Sequence, residues 1–169
     1  MRRSVAVLAI LASVIAGGTA LTVPLVRAAL LLRTPARTDR DRLVLSARSL
    51  LGTPYRWGAK GPDAYDCSGF TKAAYEAVGV RLPDGSFNQA DGERPLRSLD
   101  ELTVGDLLFY RWNGAVGVSH VTMYLGGGWV IGTGSPATPD RVGIYPLWTD
   151  FQVPDTTVTF RHVAMPDGS

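Results

Sequence analysis

Read along the chain, apolar and polar positions separate an amino-terminal apolar run from a half with helical spacing and a half with strand-like alternation. After the positive start Met1-Arg2-Arg3, residues 4–26 carry no charge and centre on an apolar block at residues 5–12. About 20 apolar residues suffice to span a bilayer, so this run reads as an export signal or a membrane anchor. Gly18-Thr19-Ala20 offers a small-residue cleavage site, which leans toward a cleaved signal. The folded part is expected outside the cytoplasm, secreted or wall-associated, with a membrane-attached transmembrane form held by residues 4–26 as the alternative.

Leu43, Val44, Ala47, Leu50 and Leu51 then recur at helical spacing. Asp39 or Asp41 would cap that helix, and Gly52 and Pro54 would end it. A second helix is predicted where Asp66 precedes Phe70, Ala73, Ala74 and Ala77. Residues 81–89 read as a turn with a short helical piece. From Val104 the period becomes that of strands: Leu107-Leu108-Phe109-Tyr110, residues 118–125, Trp129-Val130-Ile131-Gly132, residues 142–145 and residues 158–163. Helices first and an antiparallel sheet of about five strands afterwards make an α+β architecture.

The composition allows one real core: 169 residues are 46% hydrophobic. The division expected is 1–32 for the signal or anchor, 33–38 for a linker, 39–165 for the domain and 166–169 for a tail. Seventeen basic and fifteen acidic side chains leave a net charge of +2. No Lys/Arg run interleaved with aromatics accompanies it, which argues against a nucleic-acid partner. The oligomeric state is left open.

Cys67 is the only cysteine, so it forms no internal disulfide and builds no thiolate metal site alone. Its place just after a capping Asp66 puts the thiol in the first turn of a helix. The helix dipole there favours thiolate by roughly 0.3–1 kcal/mol. The other readings of a lone extracytoplasmic cysteine are a small buried hydrophobe and a link to another chain. His120 opens a predicted strand, sharing a face with Thr122 and Tyr124, while Val121, Met123 and Leu125 take the other. An imidazole with an ordinary pKa of about 6.5 accepts and returns protons near neutrality, so Cys67 and His120 are a candidate nucleophile and base.

Pro54-Tyr55-Arg56-Trp57-Gly58, Asp66-Cys67-Ser68-Gly69-Phe70, Leu82-Pro83, Gly105-Asp106-Leu107-Leu108-Phe109 and Ser119-His120-Val121 with Met123-Tyr124-Leu125-Gly126 occur in that order. The set strongly resembles the NlpC/P60 family of papain-like cell-wall peptidases, from about residue 39 to 163. The resemblance implies a reduced papain-like domain with the cysteine helix packed on the sheet. It implies Cys67 as nucleophile and His120 as base, with Tyr55 and the Cys67 N–H near the oxyanion. Asp66 and Ser68 match positions that hold the free amino end of a stem peptide. The implied reaction is hydrolysis of peptidoglycan stem peptides between D-γ-glutamyl and a diamino acid, with no cofactor and no metal. The other readings are an amidase or transpeptidase on the same scaffold and a wall-binding domain that has lost turnover.

One position departs from the pattern. Family members carry a polar residue, most often His, twelve positions after the base, and here that position is Gly132. Glycine cannot orient an imidazole, which puts full activity in question. Thr133, Ser135 and His162 are the candidates for a replacement third element, and aromatics Trp57, Tyr110, Trp112 and Trp129 are candidates to line the cleft.

Overall fold

The computed structural model describes residues 38–92 and 94–169. Helix α1 spans Asp39–Ser49, α2 spans Cys67–Glu76 and α3 spans Ser86–Asp91. The strands are β1 Arg94–Leu96, β2 Leu107–Arg111, β3 His120–Gly126, β4 Trp129–Gly132, β5 Gly143–Pro146 and β6 Thr157–His162. Short 3-10 turns lie at Leu99–Glu101 and Leu147–Gln152. The strands form one antiparallel sheet in the order β1-β6-β2-β3-β4-β5. The architecture is α+β, as expected.

α1 is capped one residue earlier than the aspartates suggest. Thr38 Oγ1 accepts the Asp41 N–H at 3.1 Å and Asp41 Oδ2 accepts the Thr38 N–H at 3.1 Å, a reciprocal capping box. Asp39 is instead spent on the carboxyl-terminal tail, its Oδ2 accepting the Asp167 N–H at 2.8 Å. Leu43 and Ala47 are fully buried, whereas Leu51 lies beyond the helix and is exposed.

The sheet is buried on both faces at its centre. Leu107, Phe109, Val121, Met123 and Ile131 pack under the helices against Leu43, Phe70, Ala74 and Tyr75. Leu108, Tyr110, Val130, Tyr145 and Leu147 form a second apolar layer on the opposite face. Side-chain alternation in β2 and β3 therefore sorts residues between two cores. β1 is the strand that the hydrophobic pattern does not reveal. It is an edge strand of three residues including Pro95, too short to alternate, and it exists by pairing with β6.

The expectation of a transmembrane or membrane-attached form is corrected. Among the described residues no helix is long and apolar enough to cross a membrane, since α1, the longest, has 11 residues where about 20 are needed. Residues 4–26, on which that expectation rested, lie outside the described residues, as do the proposed signal and most of the linker.

Candidate active site

The site begins with the cap of α2. Asp66 Oδ1 accepts the Gly69 N–H at 2.6 Å and the Ser68 hydroxyl at 2.9 Å. Its other oxygen receives Lys60 Nζ at 2.7 Å, and the same ammonium reaches Ser68 Oγ at 3.0 Å. The glycine-rich loop before α2 is thus tied by its own lysine to the helix start. Lys60 carries no motif in the sequence and was not among the expected site residues.

Cys67 follows this cap and is 8% exposed. Backbone N–H groups of Val121 and Ser68 favour its thiolate, as does the Lys60 charge. Burial and the neighbouring Asp66 carboxylate act the other way and prevail, pushing the thiol up to about 11. The preference for thiolate that the helix start supplies is therefore outweighed. A dipole contribution below about 1 kcal/mol is worth less than one pH unit, and desolvation exceeds it. The Val121 contact also locates the sulfur: Val121 is the residue after His120, so the thiol lies against the backbone at the start of β3.

His120 is 3% exposed and lies against two aromatic rings that also touch each other. The indole of Trp112 stacks on it at 4.5 Å between centroids and 21° between planes, and the Tyr110 ring lies at 5.8 Å. Burial pushes the imidazole down to about 3. Its Nε2 is buried with no hydrogen-bond partner, and no hydrogen bond joins the ring to Cys67. The pair rests as a thiol and a neutral imidazole.

The space that a side chain at position 132 would enter is already filled. A Cβ on Gly132 would lie 2.9 Å from Thr122 Cγ2 and 3.6 Å from the Tyr145 hydroxyl. Thr122 in turn shares a hydrogen bond of 3.2 Å with Tyr110 OH, and Tyr145 OH donates to Asp150 Oδ2 at 2.8 Å. The hydroxyls of Ser135 and Tyr110 also face this carboxylate and hold its pKa down, but burial outweighs them and raises it to about 6. Asp150 was not foreseen; it comes from a 3-10 turn with no motif, and only the fold brings it to the sheet. Substituting Gly132→Asn is expected to destabilise the protein by about 1–3 kcal/mol through overpacking, read from urea midpoints, and Thr122→Gly in the same chain is expected to relieve most of that cost.

The candidates for a third element lie in different places. Thr133 is fully buried with its Oγ1 unpartnered, and Ser135 Oγ pairs with Thr138 Oγ1 at 3.2 Å. His162 is at the other end of β2: its Nδ1 lies 3.0 Å from Asp106 Oδ1, whereas His120 pairs with Tyr110. Four residue steps separate Asp106 from Tyr110, roughly 13 Å, so the structure does not bring His162 to His120. Tyr55 is half-buried, and burial together with the Cys67 and Asp66 charges raises its pKa, which places it beside the thiol. Its ring packs against the backbone of Gly134, where φ is +80° and a Cβ would collide with it. Among the candidate cleft aromatics, Trp57 and Trp129 are exposed and Tyr110 is fully buried. Among the described residues no group of three His, Cys, Asp or Glu side chains converges as for a metal ion.

A thiol at a capped helix start, against the strand that His120 opens, is the arrangement that comparison with known proteins then identifies. Residues 52–153 match the sequence profile of the NlpC/P60 family. The chain belongs to the NlpC/P60 family. A probable endopeptidase of Corynebacterium glutamicum is 41% identical over 106 residues, which cover 62% of this chain and 48% of that protein. The chain thus spans about half the length of that curated relative. The peptidoglycan hydrolase RipB of Mycobacterium tuberculosis is 30% identical with a TM-score of 0.59, over 77% of this chain and 68% of RipB. RipD of the same organism, a non-catalytic NlpC/p60 domain protein adapted to peptidoglycan binding, shares the fold at 24% identity and a TM-score of 0.61, over 75% of this chain and 98% of RipD. Membership of NlpC/P60 places the chain in a family of hydrolases.

Proposed function

We propose that the protein is an extracytoplasmic, wall-associated cysteine peptidase that hydrolyses peptidoglycan stem peptides, at the D-γ-glutamyl to diamino-acid bond that the family resemblance implies. The observation that carries this reading is the buried thiol of Cys67 on the capped start of α2, with its sulfur against the Val121 N–H next to His120. In this reading His120 takes the thiol proton as the sulfur bonds to the carbonyl carbon. The oxyanion is met by the Cys67 N–H, with Tyr55 beside it. The imidazolium then gives its proton to the departing amine as the C–N bond breaks. Water adds to the thioester carbon, its proton passes to His120, and C–S cleavage returns the thiol. Asp66 and Ser68 would receive the amino end of the stem peptide. Lys60 already holds both, so an incoming ammonium must displace it. Residues 39–165 would form the catalytic unit, behind a signal in residues 1–32 and a linker in 33–38.

The test is incubation of the purified protein with peptidoglycan and with synthetic stem peptides, read by mass spectrometry. The expected result is a product pair from one stem-peptide bond. A second reading, a wall-binding domain without turnover, is favoured by the unpartnered His120 Nε2 and by glycine at position 132. Co-sedimentation with insoluble peptidoglycan and no cleaved bond across a panel of walls and pH values would replace the first reading by the second. A peptide joined to a new acceptor amine instead of water would indicate the transpeptidase alternative, and a product cut at the sugar-proximal amide would indicate the amidase.

A further inference from the structure

We propose that Trp112 is the positioning residue of His120, its indole face holding the imidazole plane where no polar side chain stands at position 132. The inference rests on the Cys67–His120 peptidase reading.

A general base must be held in one orientation, and in a hydrolytic triad a polar third residue does this through a hydrogen bond to the far ring nitrogen. No such bond exists here. His120 Nε2 is buried and unpartnered, and the place of the missing side chain is taken by Thr122 and the Tyr145 hydroxyl. What does touch the imidazole is an aromatic cluster in which Trp112 and Tyr110 are themselves 5.6 Å apart. Trp112 lies nearly parallel to it at 4.5 Å and 21°, and Tyr110 at 5.8 Å and 47°. Stacked planes restrict the ring's tilt as a hydrogen bond would.

The indole packs on the second apolar layer beside Tyr110 and stacks on the imidazole from there. A buried tryptophan ordinarily finds a partner for its N–H, yet Trp112 Nε1 is buried without one. Its ring is half-buried, at the β2 end of the hairpin loop that leads to His120. The face it presents also answers the second task of the missing residue. When His120 takes the proton of Cys67 it becomes a cation in a site closed to water. An indole face stabilises a desolvated cation, with tryptophan the most effective of the aromatic side chains. Of the groups that carry or acquire charge, Cys67 lies at the Val121 backbone and Asp150 at the Tyr110 hydroxyl. None of them hydrogen-bonds to the ring.

The test reads the pair with and without a peptide substrate. Alkylation of Cys67 by iodoacetamide at pH 7 is followed by mass spectrometry, beside stem-peptide turnover. The proteins are the native chain, His120→Ala, Trp112→Phe and Trp112→Leu, the last two also combined with Thr122→Gly/Gly132→His, which restores a polar partner at 132. Thermal unfolding checks that each is folded. Trp112→Leu is expected to slow alkylation and kcat about tenfold with KM little changed, and Trp112→Phe less than about threefold. In the background with histidine at 132, Trp112→Leu is expected to have almost no effect, because the ring then has another partner. Equal losses in both backgrounds, or equal losses from Phe and Leu, would make Trp112 a packing residue and overturn the inference. If the Thr122→Gly/Gly132→His protein fails to fold, the Phe and Leu comparison decides alone. Alkylation that is unaffected by His120→Ala overturns the inference together with the Cys67–His120 pair. An uncut peptide beside His120-dependent alkylation overturns only the peptidase reading, and the alkylation rates still decide on Trp112.

Discussion

Replacing Cys67 by alanine is expected to lower stem-peptide cleavage to background, a loss of about 10⁴–10⁶ in kcat, with binding to peptidoglycan retained. The size follows from the chemistry: without the sulfur no thioester forms, and the remaining N–H donors only polarise the carbonyl. His120→Ala is expected to lose nearly as much, and the double substitution no more than the larger single loss, since the two groups act as one unit. The resting state explains why the histidine should matter so strongly. Burial raises the thiol to about 11 and lowers the imidazole to about 3, so neither is ionised at neutral pH. Thiolate has to be produced by proton transfer within the site, and a thiol left alone there is a poor nucleophile. The measurement is single-turnover cleavage with intact-mass detection of the thioester on Cys67. A Cys67→Ala protein that still cuts the peptide would remove the nucleophile from the account.

Much of this geometry is legible in the residue order. Asp66 before Cys67, with Phe70 and Ala74 at helical spacing, announces a capped helix carrying a thiol, and α2 starts at that cysteine. The apolar run Leu107 to Tyr110 and the alternation of His120 to Leu125 announce paired strands, the run because β2 is buried on both faces. Even the deviation is legible, since glycine at position 132 is visible without coordinates. The occupants of that space are not legible. Thr122, Tyr145 and Asp150 come from β3, β5 and a 3-10 turn, and their convergence depends on register and on chain reversal, neither of which is encoded in a local motif. The resting charge state is not legible for a related reason. A helix dipole is a local property that spacing reveals, whereas the desolvation that outweighs it at Cys67 depends on everything packed around the thiol.

The stability of the protein between pH 4 and pH 6 is expected to hide two opposed titrations on the same face of the sheet. His120 has an ordinary pKa of about 6.5 unfolded and about 3 folded. Between those values the unfolded chain binds a proton that the native site refuses, so this group makes the fold less stable as pH falls. Asp150 runs the other way, from an ordinary 3.8 up to about 6 when folded. Between those values the native carboxyl keeps a proton that the unfolded chain has released, so its contribution is largest at acid pH and is lost as pH rises through about 6. One proton of each sign nearly cancels over the shared window. Asp150→Asn removes the second titration and is expected to steepen the profile by about 1.4 kcal/mol per pH unit, with stability rising from pH 4 to pH 6. His120→Gln removes the first and is expected to change the slope by about the same amount in the opposite sense. Urea unfolding midpoints of the native and the two substituted chains, measured at half-unit intervals from pH 4 to pH 7, separate these slopes from the background of surface carboxylates, which is common to all. Profiles parallel to the native one in both substituted chains would mean that neither group is held away from its ordinary titration, and that the buried site is wetter than its packing implies. Opposite slopes would instead establish that the fold keeps both a neutral imidazole and a carboxyl that is protonated only below about pH 6. At the neutral pH of turnover that carboxyl is an anion, held by the Tyr145 hydroxyl that borders position 132.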